Sequence, residues 1–119
     1  MSAGHRVVIW HNPRCSKSRG ALELLQARGI EPVVVDYQKN PPGADEIERA
    51  LKLLDLRPRG LMRKGEARYA ELDLDNPALS HGQLVAAMAA NPILIERPIV
   101  FANGEAAIGR PPENVLAIL

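Results

Sequence analysis

The amino-acid sequence predicts an α/β protein whose strands form one mixed sheet. Three observations predict it. The chain starts with a β-branched run, a helical pattern and a second β-branched run, and its middle section has helical patterns. Near its end, two short apolar runs flank an Asn-Gly dipeptide. A chain of 119 residues is long enough to bury one hydrophobic core of its own. We therefore expect a single domain over residues 1–119.

The first forty residues predict a strand, a helix and a second strand. Residues 6–10 are a β-branched run, which Pro13 ends because a proline keeps its preceding residue out of the helical region. Residues 16–28 follow with an apolar helical face, and Gly29 is the stop. Residues 32–37 form a second β-branched run. This order predicts a right-handed βαβ unit with two parallel strands.

The middle of the chain predicts helices. The Asn-Pro-Pro-Gly stretch at 40–43 is a linker, and residues 57–79 are polar with short helical turns. Between them, apolar residues recur at the spacing of one helical face: Ile47, Leu51 and Leu54. Ser80 and Gln83 have the spacing of a capping box, and Asn91 followed by proline ends the helix that they begin.

The last third of the chain returns to β-structure. Residues 99–102 and 105–108 flank Asn103-Gly104, a dipeptide typical of a two-residue hairpin. Residues 109–112 then open a last helix over 113–119, with proline in its first turn. The full order is β-α-β, a helical insertion at about 43–92, and β-β-α. That is the layout of a thioredoxin-like fold with a mixed central sheet.

Composition and charge exclude several classes of protein. Fifteen Lys and Arg against fourteen Asp and Glu leave a net charge of +1, which argues against a basic nucleic-acid-binding domain. The apolar run at residues 7–10 is too short for a signal peptide or a membrane span. One cysteine and three histidines without ligand spacing argue against a metal site. We expect a cytoplasmic protein with no nucleic-acid or membrane partner, no metal and no bound cofactor.

Cys15 is the residue most suited to chemistry. It lies at the start of the first predicted helix, where unpaired N–H groups and the helix dipole favour a thiolate. Arg14, Lys17 and Arg19 surround it in the sequence, and His11 lies four residues upstream. Each of these groups favours a lowered thiol pKa, so Cys15 is a candidate nucleophile. The alternative is an inert, buried cysteine, but its neighbours are polar instead of apolar.

The chain has no resolving cysteine. Cys15 begins a C-x-x-S motif that ends at Ser18, and it is the only cysteine in the sequence. A reaction that oxidises Cys15 must therefore take its second thiol from another molecule, such as glutathione or a glutaredoxin.

Four segments resemble one known family. The stretch 11–19 is similar to the active-site loop of the glutaredoxin-coupled arsenate reductases, and the family's other motifs follow in the same order. Those motifs are residues 61–64 followed by Tyr69 and Leu72, residues 96–100, and residues 109–113. The resemblance covers residues 7–119, almost the whole chain.

The resemblance implies a role for each matching residue. Cys15 would attack the arsenic of arsenate and expel water, and Arg63, Arg97 and Arg110 would bind the oxyanion. Guanidinium groups suit this task because they pair with tetrahedral oxyanions through two parallel hydrogen bonds. Glutathione would reduce the adduct as a co-substrate, and a glutaredoxin would clear the mixed disulfide to release arsenite. Without the resemblance, we would interpret Arg63 as a solvent-exposed residue of the polar segment 57–79.

Three further residues would support this site. Pro98 would be a cis-proline facing Cys15, as is common in thioredoxin-like folds, and would place Arg97 beside the thiol. His11 would lie close enough to influence Cys15, or would only pair with a backbone carbonyl at the strand end. Ser18 would hydrogen-bond the sulfur, or would only cap the helix.

Two other functions remain open from the sequence. A glutathione-dependent thiol oxidoreductase acting on protein mixed disulfides would need Cys15 and would be indifferent to Arg63 or Arg97. A non-catalytic, Spx-like binding module would tolerate loss of Cys15, although Spx-type regulators typically carry C-x-x-C. The three arginines favour the arsenate reductase. We expect a monomer, because no exposed apolar stripe demands a dimer.

Overall fold

The computed structural model describes residues 6–119, so His5 lies outside the described residues. The chain divides into two compact units. The sheet unit is formed by the chain up to Asn40 together with Arg97–Leu119, and the helical unit is Pro41–Glu96. Within the described range, no helix is long and apolar enough to cross a membrane.

The sheet unit contains four strands in the order β2-β1-β3-β4. Its elements are β1 Val8–His11, α1 Ser16–Ala27, β2 Val33–Asp36, β3 Ile99–Ala102, β4 Glu105–Ile108 and a 3-10 helix at Pro112–Ile118. β1 pairs with β2 in parallel, whereas β1–β3 and β3–β4 are antiparallel. The predicted mixed sheet and the parallel βαβ pair are confirmed.

The hairpin between β3 and β4 turns at the predicted dipeptide. Asn103 and Gly104 have φ angles of 55° and 75°, so both lie in the left-handed region that a type I′ turn requires. The core beneath the sheet joins both ends of the chain. Its buried members are Ile9, Ala21, Leu25, Val100, Ala102, Val115 and Ile118.

The last element corrects the sequence-based prediction of an α-helix over 113–119. Pro112–Ile118 is a 3-10 helix, with the Asn114 N–H donating to the Pro111 carbonyl at 3.0 Å. In a 3-10 helix residues three apart lie on the same face. Val115 and Ile118 have that spacing and are the buried residues of this segment, so the tighter helix directs both into the core.

The helices of the helical unit begin directly after the predicted linker. Its helices are α2 Ala44–Leu54, α3 Pro58–Leu61, α4 Ala67–Glu71, α5 His81–Ala90 and a 3-10 turn at Pro92–Leu94. The predicted capping box at α5 is confirmed. The Ser80 Oγ accepts from the Gln83 N–H at 3.1 Å, and the Gln83 Oε1 accepts from the Ser80 N–H at 2.7 Å.

Candidate active site

Cys15 is the N-cap residue of α1 and is partly buried. Its backbone N–H donates to the Asn12 carbonyl at 3.0 Å, which closes the loop between β1 and α1. The backbone N–H groups of Ser18 and Lys17 act to lower the pKa of its thiol. The thiol therefore faces the unpaired donors of a helix N-terminus, as the sequence predicts.

Two arginines from distant parts of the sequence lie beside the thiol. The Arg110 Nη1 is 3.8 Å from the Cys15 Sγ and also donates to the Arg97 carbonyl at 3.2 Å. The Arg97 side chain also acts to lower the pKa of the same thiol. The structure thus brings Cys15, Arg97 and Arg110 together within the sheet unit.

Each of these arginines precedes a cis-proline. The Arg97–Pro98 bond is cis, as the resemblance implies, and the Arg110–Pro111 bond is also cis, which the sequence analysis missed. The two turns touch at Gly109, whose N–H donates to the Pro98 carbonyl at 2.9 Å. A Cβ atom at Gly109 would lie 2.9 Å from the Pro98 Cγ, so this close approach requires glycine.

The environment lowers the pKa of Cys15. Burial acts to raise the pKa, but the Ser18 N–H, the Arg97 guanidinium, the Lys17 N–H and the Arg110 guanidinium together outweigh it. A thiolate next to two guanidinium groups is a nucleophile with a binding site for an oxyanion. This arrangement can bind a tetrahedral anion and attack its central atom.

His11 and Ser18 are buried and contact each other. The His11 Nδ1 is 2.7 Å from the Ser18 Oγ, and the Ser18 Oγ also accepts from the Asn12 N–H at 2.9 Å. Burial lowers the pKa of His11, the Asp36 charge opposes this, and the Arg19 charge adds to it. The Ser18 side chain therefore ties the end of β1 and the loop to α1.

Arg63 belongs to the helical unit. Its Nη1 donates to the Glu96 Oε1 at 2.7 Å and its Nε to the Glu66 Oε2 at 3.2 Å. Burial acts to lower the pKa of Arg63, but these carboxylates, Glu96 first, raise it above the usual value. Its role in oxyanion binding stays a prediction of the resemblance.

Sequence reasoning missed three residues that hold predicted site residues in place: Asn12 in the loop before Cys15, and Glu66 and Glu96 beside Arg63. Asn12 is buried, and its Oδ1 accepts from the Arg14 N–H at 3.0 Å, an Asx-turn that the Asn-Pro dipeptide could have indicated. Glu66 stands three residues after Arg63, in the turn before α4, so the short separation of these opposite charges could have indicated the pair. Glu96 lies 33 residues from Arg63, so no local pattern could reveal that contact.

The sequence matches a known family over most of its length. A family model described as the ArsC family matches residues 10–118. An arsenate reductase of Neisseria meningitidis serogroup A is 52% identical over 114 residues, which cover 95% of this chain and 97% of the relative. The uncharacterized protein YfgD of Escherichia coli K12 is 52% identical over 115 residues, covering 96% of this chain and 97% of the relative.

A solved structure agrees with these matches. An arsenate reductase from Vibrio cholerae superposes with a TM-score of 0.95 at 50% identity, covering 98% of this chain and 99% of that chain. The likeness confirms the predicted thioredoxin-like α/β fold.

Proposed function

The chain belongs to the ArsC family, and on that premise we propose that it reduces arsenate to arsenite through Cys15, with glutathione and a glutaredoxin supplying the electrons. The observation that carries the proposal is the Cys15 sulfur at a helix N-terminus, 3.8 Å from the Arg110 Nη1, with Arg97 and Arg110 both lowering the pKa of the thiol. These donors stabilise the thiolate before the substrate arrives and bind the arsenate oxygens when it does.

The first step forms a bond between sulfur and arsenic. The Cys15 thiolate attacks the arsenic of arsenate, and one arsenate oxygen takes up protons and leaves as water. Arsenic stays at the +5 oxidation state in this adduct. Arg97 and Arg110 neutralise the remaining oxygens, whose negative charge would otherwise repel the thiolate.

The second step transfers two electrons. The glutathione thiolate attacks the Cys15 sulfur, the sulfur–arsenic bond breaks, and its electron pair reduces arsenic to the +3 state, which leaves as arsenite. Cys15 is then a mixed disulfide with glutathione. Because the sequence holds no second cysteine, a glutaredoxin thiol must attack the glutathione sulfur and regenerate Cys15.

The chemistry needs no resident cofactor or metal, because thiols carry both electrons. We place the protein in the cytoplasm, where the glutathione pool keeps thiols reduced. We also propose that it acts as a monomer, since the thiol, Arg97 and Arg110 all come from one chain.

NADPH consumption tests the proposal. The purified protein is supplied with arsenate, glutathione, glutathione reductase and a glutaredoxin, beside a Cys15→Ser variant. We expect turnover that requires both arsenate and Cys15. Arg97→Lys lowers kcat/KM for arsenate about tenfold or more, because the lysine ammonium cannot make the two parallel hydrogen bonds that a planar guanidinium makes to an oxyanion. Arg28→Lys, at the exposed end of α1, is the matched control and leaves kcat/KM unchanged.

Other outcomes assign a different function. Turnover with mixed-disulfide substrates that is indifferent to arsenate and to Arg97→Lys identifies a thiol oxidoreductase. A folded protein without turnover, whose partner binding survives Cys15→Ser, identifies a Spx-like binding module. Loss of arsenate turnover in Arg63→Ala, with a normal unfolding transition, would support the role that the resemblance gives to Arg63.

A further inference from the structure

A cavity lies beside the active-site loop of the sheet unit. It has a volume of about 320 Å³ and is lined by Asn12, Pro13, Arg14, Asp36, Gln38 and Lys39. This volume is at the lower end of the range for small-molecule sites. None of these six side chains is used in the arsenate chemistry derived above, so the cavity is available for another ligand.

The cavity lies at the carboxyl ends of the two parallel strands. β1 ends at His11 and β2 at Asp36, and these two residues are partners in the parallel register. In α/β sheets, ligands commonly bind outside the carboxyl ends of parallel strands. The position is therefore one at which this type of sheet offers a binding site.

The cavity shares a residue with the loop that holds the thiol. Asn12 lines the cavity, and its carbonyl accepts the Cys15 N–H at 3.0 Å. Its Oδ1 accepts the Arg14 N–H at 3.0 Å, which fixes the next lining residue as well. A ligand in this cavity thus lies against the same loop as the reacting sulfur.

The charges of the lining define the ligand. Arg14 and Lys39 are cationic, Asp36 is anionic, and Asn12 and Gln38 carry amides. The Asp36 Oδ1 accepts from the backbone N–H groups of Gln38 and Lys39 at 3.3 and 3.4 Å, which fixes the Asp36 carboxylate at one end of the cavity. Inorganic arsenate has no group for Asp36. A zwitterionic ligand with one additional carboxylate matches all three charges.

We propose that this cavity binds glutathione, the reductant of the proposed function, on which this inference rests. The α-amino and α-carboxylate groups of its γ-glutamyl end pair with Asp36 and Lys39. The carboxylate of its glycine end pairs with Arg14, next to the thiol loop. The tripeptide is thereby recognised by its charges at both ends, and its thiol is brought to the loop that carries Cys15.

S-methylglutathione is the probe for this site, because its thioether cannot react with Cys15. We expect amide signals of Arg14, Gln38 and Lys39 to shift in an NMR titration of the wild-type protein without arsenate. Arg14→Ala and Lys39→Ala each raise Kd about fivefold, the effect of one exposed ion pair. Arg28→Ala and Lys52→Ala are exposed controls of matched charge and leave Kd unchanged.

Esterification of the glycine carboxylate tests the assigned orientation. S-methylglutathione carrying a glycine ethyl ester binds the wild type about fivefold more weakly, because it lacks the partner of Arg14. Arg14→Ala then leaves the Kd of the ester unchanged from that of the wild type, whereas Lys39→Ala still raises it. If Arg14→Ala weakens the binding of the ester as much as that of the free acid, the glycine carboxylate does not pair with Arg14 and the assigned orientation is wrong.

The proposal is overturned if S-methylglutathione at millimolar concentration causes no shifts, or shifts only signals away from these residues. It is also overturned if the controls weaken binding as much as Arg14→Ala and Lys39→Ala do. Binding is measured without arsenate, so it is independent of the proposed function. If the ligand binds at this cavity but the protein shows no arsenate turnover, the binding site is supported and the proposed reductase activity is refuted.

Discussion

At the scale of single residues, the charged side chains beside Cys15 are not the ones that adjoin it in the sequence. Arg14, Lys17 and Arg19 are its charged neighbours along the chain. The Arg19 guanidinium instead donates to the Pro13 carbonyl at 3.0 Å. Backbone N–H groups, Arg97 and Arg110 lower the pKa of the thiol, and both arginines are remote from Cys15 in the sequence.

The lowered pKa of Cys15 predicts rapid alkylation at neutral pH. The rate of reaction with iodoacetamide should follow the thiolate fraction and rise with a midpoint below that of a free thiol. In Arg110→Ala the midpoint moves up by about one pH unit, because a cation that stabilises the thiolate is lost. Arg28→Ala should leave it in place. A midpoint at the free-thiol value in the wild type would contradict the stabilisation of the thiolate by these groups.

Local patterns located Cys15 but could not fix which residues meet it. The helix start and the C-x-x-S motif are visible in the sequence, since both are local. The contacts with Arg97 and Arg110 span most of the chain and depend on strand pairing. Only the resemblance to a family brought those arginines to attention. The His11–Ser18 contact, seven residues apart, escaped local reasoning as well.

Ser18→Ala should destabilise the protein. The substitution removes the acceptor of the Asn12 N–H and the partner of the buried His11 ring, so the free energy of unfolding falls by about 1–3 kcal/mol. Urea denaturation measures the change. Ser16→Ala, at an exposed position in the same helix, is the control and should change stability by about 0.5 kcal/mol or less. Equal losses in the two variants would contradict the role given to the Ser18 hydroxyl.

At the scale of elements, local signals predicted helix starts better than helix type. The capping box of α5 depends on residues three apart, so the sequence contains it completely. The final 3-10 helix depends on burying Val115 and Ile118 against the sheet. A local pattern there is compatible with either helix type, and tertiary packing decides between them.

Ser80→Ala tests the capping box. Loss of the hydroxyl leaves the Gln83 N–H without its acceptor, so the free energy of unfolding falls by about 1 kcal/mol. Ser80→Asp retains an acceptor and should recover most of that stability. Thermal and urea unfolding of the three proteins give the comparison. If the aspartate variant is as unstable as the alanine variant, the cap is not the cause.

At the scale of the whole molecule, the sheet unit depends on both ends of the chain. Strands β1 and β2 come from its first part, and β3 and β4 from its last. The sequence predicted the strands and the mixed sheet. The spatial order β2-β1-β3-β4 could not be deduced, because the apolar pattern of a strand does not indicate which other strands it pairs with.

Leu25→Ala tests the core that joins the two ends. Leu25 is fully buried among residues from both chain segments, so its truncation lowers the free energy of unfolding by about 2–5 kcal/mol. Leu116→Ala, at a side chain 40% exposed, is the control and should cost about 0.5 kcal/mol. Similar losses would show that the core is not the main source of stability in this unit.

Gly109 has a consequence for engineering a different anion specificity. Its N–H is bonded to Pro98, and it leaves no room for a side chain against that ring. The residues that carry the two guanidinium groups flank this contact, and one group donates to the carbonyl of the other residue. Neither arginine can be relocated alone. A pocket for a larger oxyanion must be widened by redesigning the two proline turns as one piece.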